Sequence, residues 1–229
     1  MISRSSKETA QNGARGLGRR VLSAVRCHGK YERQARAEGF PLVAGVDEAG
    51  RGALFGPVFA AVVILNPARP VRGLRDSKLL TPARREELAV LIRERAIACA
   101  VASADADEID RINILEASRA AMRRALAGMH PQPQYLLVDF TSVETEIPQR
   151  ALVHGDAVSQ SIAAASILAK VARDACMREW DVKFPRYGLA RHKGYGTEEH
   201  LRALTDHGPT PMHRFSFEPV RAREKAVCQ

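Results

Sequence analysis

Two adjacent carboxylates, Asp47 and Glu48, stand between an apolar run and a glycine-rich turn. The run, residues 42–46, has the length and composition of a buried strand, and the turn begins with AGRG at residues 49–52. Neighbouring carboxylates at the end of a buried strand are costly to desolvate unless a cation or another partner compensates them. Carboxylate oxygens suit hard cations such as Mg²⁺ or Mn²⁺, whereas backbone N–H groups and arginine suit phosphate. This combination indicates metal-assisted chemistry on a phosphodiester.

Two further acids occupy equivalent places, because Asp139 ends the apolar run LLVD and Asp156 ends ALVHGD. The carboxyl ends of strands in an α/β sheet gather at one edge, so we expect Asp47, Asp139 and Asp156 to converge there. Each acid alone is equally well explained as a turn residue or a helix cap. Their recurrence at three strand ends favours a shared site. Neighbours on a regular strand point to opposite faces, so Asp47 and Glu48 can share that site only if the strand breaks at Glu48.

Asp174 is a rival for the fourth acid. A helix running from residue 156 to residue 174 would separate the two ends by roughly 27 Å, so Asp156 and Asp174 could not share one site. A carboxylate at position 156 would lie near the helix N-terminus, where the helix dipole favours it. We therefore select Asp156 and expect Asp174 to pair with Arg173 or Arg178 on the helix surface.

Charge and cysteine usage narrow the class of protein. The 229 residues carry a net charge of +9, of which residues 1–40 supply +6 from nine Lys/Arg and three Glu. This balance is typical of a nucleic-acid partner, and it predicts a basic, disordered extension over residues 1–28. The four cysteines are far apart, which argues against a zinc site and favours a reducing, cytoplasmic location. No apolar stretch is long enough to predict a membrane span.

Apolar runs and helical patterns alternate along the chain, which predicts an α/β fold: a mixed sheet flanked by helices, with a helical C-terminal region. We expect a catalytic domain over residues 29–180 and a substrate-binding region over residues 181–229. The predicted strands are 42–47, 58–65, 96–102, 135–138 and 151–153. The predicted helices are 30–40, 82–95, 104–112, 113–129 and 159–180.

The sequence also resembles a known family. The motifs VAGVDEAGRG, LRDSKLL, INILEAS, LLVD, HGD with SIAAASILAKVARD, and FPRYGLARHKGYGT resemble the motif series of ribonuclease HII, in order, over about residues 40–218. The resemblance implies a ribonuclease H-like fold. It also implies cleavage of the RNA strand in RNA–DNA hybrids, or at a lone ribonucleotide in duplex DNA, leaving a 3′-hydroxyl and a 5′-phosphate.

The same resemblance assigns residue roles. The catalytic, metal-binding acids of the family match Asp47, Glu48, Asp139 and Asp156, and its tyrosine that stacks on the sugar at the RNA–DNA junction matches Tyr195. The motif that senses the 2′-hydroxyl matches Gly50, Arg51 and Gly52. Two Mg²⁺ or Mn²⁺ ions about 3.5–4 Å apart would serve such a reaction, with Asp47 bridging both. The candidates for phosphate contacts, each equally well explained as a solvated surface residue, are Lys78, Asn113, Lys170 and Lys193.

Three positions depart from the family pattern. Phe140 stands where glycine is usual after the third acid, His154 where lysine is common before the Gly-Asp pair, and Leu79 where DSKKL has its second lysine. Two other classes also stay open: a related metal-dependent nuclease acting on DNA, such as a junction resolvase or transposase-like enzyme, and a non-catalytic nucleic-acid-binding module. We expect the protein to act as a monomer.

Overall fold

The computed structural model describes residues 27–227, and the predicted basic extension at residues 1–28 falls almost entirely outside them. The helices are α1 (Lys30–Ala37), α2 (Pro82–Arg95), α3 (Ala106–Ala127), α4 (Gly155–Val158), α5 (Gln160–Lys183), α6 (Leu189–His192), α7 (Glu198–His207) and α8 (Glu218–Val227). The strands are β1 (Val43–Ala49), β2 (Val58–Ile64), β3 (Ala98–Ala104), β4 (Tyr135–Asp139) and β5 (Gln149–Leu152). Short 3-10 turns occur at Ser77–Leu79 and Pro185–Tyr187.

The five strands form one mixed sheet in the order β3-β2-β1-β4-β5. β1, β2 and β3 pair antiparallel, whereas β4 lies parallel to both β1 and β5. The glycine-rich turn after β1 therefore reverses the chain. The predicted mixed α/β sheet is confirmed, and the carboxyl ends of β1 and β4 lie side by side.

Alternating residues of the strands build two cores on opposite faces of the sheet. On one face, Ala44 and Val46 pack with α3, whereas on the other, Ala61 and Val63 pack with α2 and α5. The close approach of α5 depends on Gly45, because a Cβ there would lie 2.0 Å from the backbone carbon of Ser161. α5 therefore lies directly on β1, and this contact fixes the positions of the side chains on both elements.

Helix boundaries follow local signals in the sequence. Thr81 caps α2 and accepts a hydrogen bond from the N–H of Arg84 at 3.3 Å, with Pro82 at the first helical position. α3 contains a break at Asn113 (φ 67°, ψ 164°), whose side chain accepts bonds from the N–H groups of the next turn. The two predicted helices that meet at residue 113 thus join as one kinked element.

The C-terminal region packs as its own apolar cluster against the end of α5. Phe55 and Met177 meet Tyr187, Leu204 and Val220 there. The predicted division at residue 180 falls inside α5, and a separate binding role for residues 181–229 stays a prediction. Within the described residues, no helix is long and apolar enough to cross a membrane.

Candidate active site

A cavity of about 490 Å³ opens where β1 and β4 end. We call it the acidic cavity because three of the four predicted acids line it. The glycine-rich turn, two candidate phosphate-binding lysines and the predicted stacking tyrosine line it as well. These residues are Asp47, Glu48, Asp139, Gly50, Arg51, Gly52, Lys78, Lys170 and Tyr195.

β1 does not break at Glu48, so that prediction was wrong. Glu48 pairs with Ala60 on β2 and the strand runs on to Ala49. The pairing with β4, in contrast, ends at Val46. β1 therefore has a free edge beyond Val46, and this open corner lets both neighbouring carboxylates face one cavity.

Asp47 is buried at the inner end of the acidic cavity. Burial, together with the charges of Glu48 and Asp139, raises the pKa of Asp47 well above its ordinary value, although the Ser166 hydroxyl and the Glu48 N–H (2.7 Å) oppose the shift. Burial also raises the pKa of Glu48, while Arg51 at 3.4 Å opposes it. Among the residues that the structure describes, the second carboxylate oxygen of Glu48 is buried and has no hydrogen-bond partner. The cavity therefore carries negative charge that a cation would relieve.

Asp139 is the last residue of β4, and Asp156 lies in the first turn of α4. The N–H of Gly155 donates to Asp139 Oδ1 at 2.7 Å, which ties the end of β4 to the first turn of α4. Asp156 lies beside the cavity, with Lys78 Nζ 3.8 Å from its Oδ2. Burial and the charges of Asp76 and Asp139 raise the pKa of Asp156 to about 6, although Lys78 opposes them.

Asp174 is buried, so the expectation of a surface pair with Arg173 or Arg178 was wrong. Its carboxylate binds Lys170 at 2.7 Å and Arg85 at 3.7 Å. The reason is tertiary: α2 packs on α5 and brings Arg85 to this position. Neither Asp174 nor Asp156 lines the acidic cavity, so the choice of Asp156 as the fourth acid stays a prediction.

Arg214, which sequence reasoning missed, holds the glycine-rich turn through two hydrogen bonds. This fully buried side chain donates to the carbonyls of Gly56 (2.9 Å) and Arg51 (2.8 Å). Burial and the neighbouring charge of Arg173 lower the pKa of Arg214 to about 9. The sequence signal is weak: Arg214 stands among the apolar residues Met212, Phe215 and Phe217.

A second buried guanidinium, Arg173, links the same turn to the loop that carries Tyr195. It donates to the carbonyls of Lys193 (2.7 Å) and Phe55 (3.2 Å). A Cβ at Gly50, whose φ is +100°, would lie 2.0 Å from Arg173 Nε. The guanidinium of Arg173 also lies 5.3 Å from the ring centre of Tyr195. Arg173 therefore fixes the relative position of the turn and the aromatic ring.

The remaining candidates separate into two groups. Lys78 and Lys170 line the acidic cavity, whereas Asn113 and Lys193 do not. Asn113 is used as a helix cap, and the ammonium of Lys193 donates to the Ala190 carbonyl at 2.6 Å. Contact of any of these four with phosphate stays a prediction.

The donor set fits hard divalent ions. Within residues 27–227, no three His, Cys, Asp or Glu side chains are already drawn together as ligands of one ion. Carboxylates repel one another in the absence of a cation, and Mg²⁺ needs only one or two protein carboxylates because it keeps several water ligands. The unpaired oxygen of Glu48 and the buried carboxylate of Asp47 are consistent with such ions.

Known proteins share this sequence and fold. The family model for Ribonuclease HII matches residues 44–220. The chain is 62% identical over 200 residues to ribonuclease HII of Solibacter usitatus, covering 87% of this chain and 88% of the relative. It is 51% identical over 201 residues to that of Koribacter versatilis, covering 88% and 79%.

Solved structures agree. Ribonuclease H2 of Pyrococcus horikoshii superposes with a TM-score of 0.69 at 28% identity, covering 82% of this chain and 99% of that one. RNase HII of Archaeoglobus fulgidus, solved as a PCNA complex, gives 0.67 at 26% identity, covering 80% and 96%. These findings confirm the resemblance and exclude the non-catalytic and DNA-directed alternatives. The chain belongs to the ribonuclease HII family of metal-dependent endonucleases, which hydrolyse the RNA strand of RNA–DNA hybrids.

Proposed function

We propose that Asp47, Glu48, Asp139 and Asp156 are the catalytic acids of this endonuclease and together hold two divalent ions, Mg²⁺ or Mn²⁺. The observation that carries the proposal is the acidic cavity, where three of these carboxylates meet the glycine-rich turn. Asp156 lies beside the cavity, where its carboxylate interacts with the charges of Asp139 and Lys78. A Mn²⁺ complex is known for Bst-RNase HIII, which shares the fold at 18% identity.

The bound ions would lower the pKa of an attacking water and stabilise charge on the leaving oxygen. Asp47 is best suited to lie between them, because its carboxylate is buried and electrostatically coupled to both Glu48 and Asp139. The hydroxyl of Ser166, on α5, shares the cavity with Asp47 and lowers the pKa of its carboxyl. The Oγ atoms of Ser77 and Ser166 lie 2.9 Å apart, so a hydrogen bond fixes the Ser166 hydroxyl.

The glycine-rich turn supplies the selectivity for ribose. A protein that distinguishes RNA from DNA must contact the 2′-hydroxyl. Gly50 and Gly52 allow a sugar to approach the backbone closely, and Arg51 is oriented by Glu48. Tyr195 provides a flat face for the sugar at the RNA–DNA junction, and its ring is positioned by the cations of Arg173 and Lys170.

Lysines at the mouth of the cavity would contact the phosphates of the substrate. Burial alone would lower the pKa of Lys78, but the charges of Asp156 and Asp76 raise it, so the ammonium stays protonated. The side chain of Lys78 is 80% exposed and can reach a phosphate. The substrates are RNA–DNA hybrids and duplex DNA that contains single ribonucleotides. In this proposal the enzyme acts as a monomer in the cytoplasm.

The test is a cleavage assay on a duplex with one embedded ribonucleotide, compared with its all-DNA twin, with and without divalent metal. We expect metal-dependent cutting of the first duplex alone. Asp47→Asn and Asp139→Asn should lose nearly all cleavage and stay folded. Asp107→Asn, which changes an exposed acid on α3, should cleave normally. Normal turnover in Asp47→Asn or Asp139→Asn would refute the assignment.

A further inference from the structure

Two large apolar side chains stand exposed beside the acidic cavity. Phe140 follows Asp139 directly, and Val153 follows Leu152, the last residue of β5; each is 70% exposed. We call this pair the apolar rim. The N–H of Phe140 donates to the carbonyl of Leu152 at 3.0 Å, so the two loops that carry the rim are joined. The rim therefore has a fixed place next to a catalytic carboxylate.

The backbone of Phe140 is in the left-handed region, with φ of 58°. A non-glycine residue there costs about 1–2 kcal/mol, whereas glycine adopts this conformation freely. An exposed ring recovers little of this cost, because burial is what makes an aromatic side chain favourable. The free protein would thus be no less stable with glycine at position 140. An outlier of this kind beside a catalytic residue indicates a functional constraint.

The position of the rim identifies its occupant. Phe140 and Val153 are outside the lining of the acidic cavity, but Phe140 is joined directly to Asp139, which does line it. A duplex is far wider than the cavity, so a substrate whose phosphate reaches Asp139 would also extend over the loop that carries Phe140. The sugars of its backbone offer C–H faces on which an apolar ring can pack.

We propose that Phe140, supported by Val153, packs on the sugar of a nucleotide adjoining the scissile link and so positions the duplex. The proposal rests on the proposed catalytic function of Asp139. Tyr195 belongs to a different loop, so the rim would be a second sugar contact on the β4–β5 side of the cavity. It is a specificity contact that is absent where glycine follows the third acid.

The deciding variant is Phe140→Gly, which removes the ring and the backbone strain together. We expect KM for a single-ribonucleotide duplex to rise roughly three- to tenfold, with kcat within about twofold of wild type. The midpoint of thermal unfolding should stay the same or rise, because relief of strain offsets the flexibility of glycine in the unfolded chain. A loss of binding without a loss of stability distinguishes a substrate contact from a structural one.

Two other variants keep the test decisive if Phe140→Gly folds poorly. Phe140→Leu keeps an apolar side chain and should raise KM less than glycine does. Val153→Ser, on the other loop, should raise KM in the same direction. Val182→Ala is the matched control, because Val182 is 82% exposed near the C-terminal end of α5, a helix that carries none of the proposed catalytic acids. It should leave KM unchanged.

Three outcomes would overturn the inference. One is an unchanged KM in Phe140→Gly while wild type cleaves. Another is a fall in kcat alone, which would mean that Phe140 only supports Asp139. The third is a concentration-dependent dimer of wild type that Phe140→Gly abolishes, which would make a second copy the occupant. Failure of the proposed catalytic set would instead appear as activity retained in Asp139→Asn, so the two failures are distinguishable.

Discussion

The buried charge of Asp156 should destabilise the metal-free protein at neutral pH, and Asp156→Asn should remove that cost. The pKa of Asp156 rises from an ordinary 3.8 to about 6, chiefly because the side chain is buried and then because of Asp76 and Asp139. A shift of about 2 units corresponds to about 3 kcal/mol, at 1.36 kcal/mol for each unit. The pKa of about 6 already includes the attraction of Lys78, which lowers it, so the figure of about 3 kcal/mol is a net cost.

The sign of the effect follows from proton binding. Below pH 3.8 the carboxyl is protonated in both the folded and the unfolded chain, and it contributes nothing. Between pH 3.8 and about 6 only the unfolded chain has lost the proton, so the folded protein loses stability as the pH rises. Above this window the full cost is present. Asparagine does not titrate, so the variant should gain over wild type only at the higher pH.

Urea unfolding of chelator-treated protein at pH 4 and pH 8 measures this effect. The free energy of unfolding of Asp156→Asn minus that of wild type should be about 3 kcal/mol higher at pH 8 than at pH 4, which means that the variant is the more stable protein at pH 8. Asp107→Asn, at an exposed position, should show no such difference. Saturating Mg²⁺ or Mn²⁺ should reduce the difference in the free energy of unfolding between Asp156→Asn and wild type, because a ligand that binds the folded wild type stabilises it. A difference in the free energy of unfolding between variant and wild type that is the same at both pH values would refute the reasoning.

Three further predictions test how the site is held. Tyr195→Ala should slow cutting at a single ribonucleotide more than cutting of long hybrids, and equal losses in a gel assay would argue against stacking on the junction sugar. Gly50→Ala should lower kcat/KM at least tenfold, because its Cβ would meet Arg173 at 2.0 Å, while circular dichroism stays native. Gly45→Ala should lower the free energy of unfolding by roughly 3 kcal/mol or more, because its Cβ would clash with the backbone of α5 at Ser161. A melting temperature equal to that of wild type would contradict this last prediction.

Much of the fold could be predicted because its signals are local. The apolar runs gave the strands, and Thr81 with Pro82 gave the start of α2. The convergence of Asp47 and Asp139 was also predictable, since parallel β1 and β4 end at the same edge of the sheet. Asp156 was preferred to Asp174 because of helix length and the helix dipole; the structure divides that helix at Ser159, and the role of Asp156 stays a prediction.

The errors arose where the answer depends on contacts between distant segments. A regular strand predicts opposite directions for Asp47 and Glu48, and only the early end of the β4 pairing leaves the corner open to both. Asp174 has nearby arginines in sequence, yet it pairs with Arg85 because α2 packs on α5. The periodicity of a sequence does not show which of several arginines the fold will bring to a buried acid.

The two buried guanidiniums explain how the glycine-rich turn can present its backbone to a substrate. The side chain of Arg214 donates a hydrogen bond to the carbonyl of Arg51, and the N–H of Ala53 donates to the carbonyl of Gly50 at 3.3 Å. Across residues 27–227, the N–H groups of Arg51 and Gly52 have no hydrogen-bond acceptor. These two N–H groups are therefore available for the proposed contact with the ribose. In that proposal the C-terminal region, through Arg214, sets the orientation of the turn.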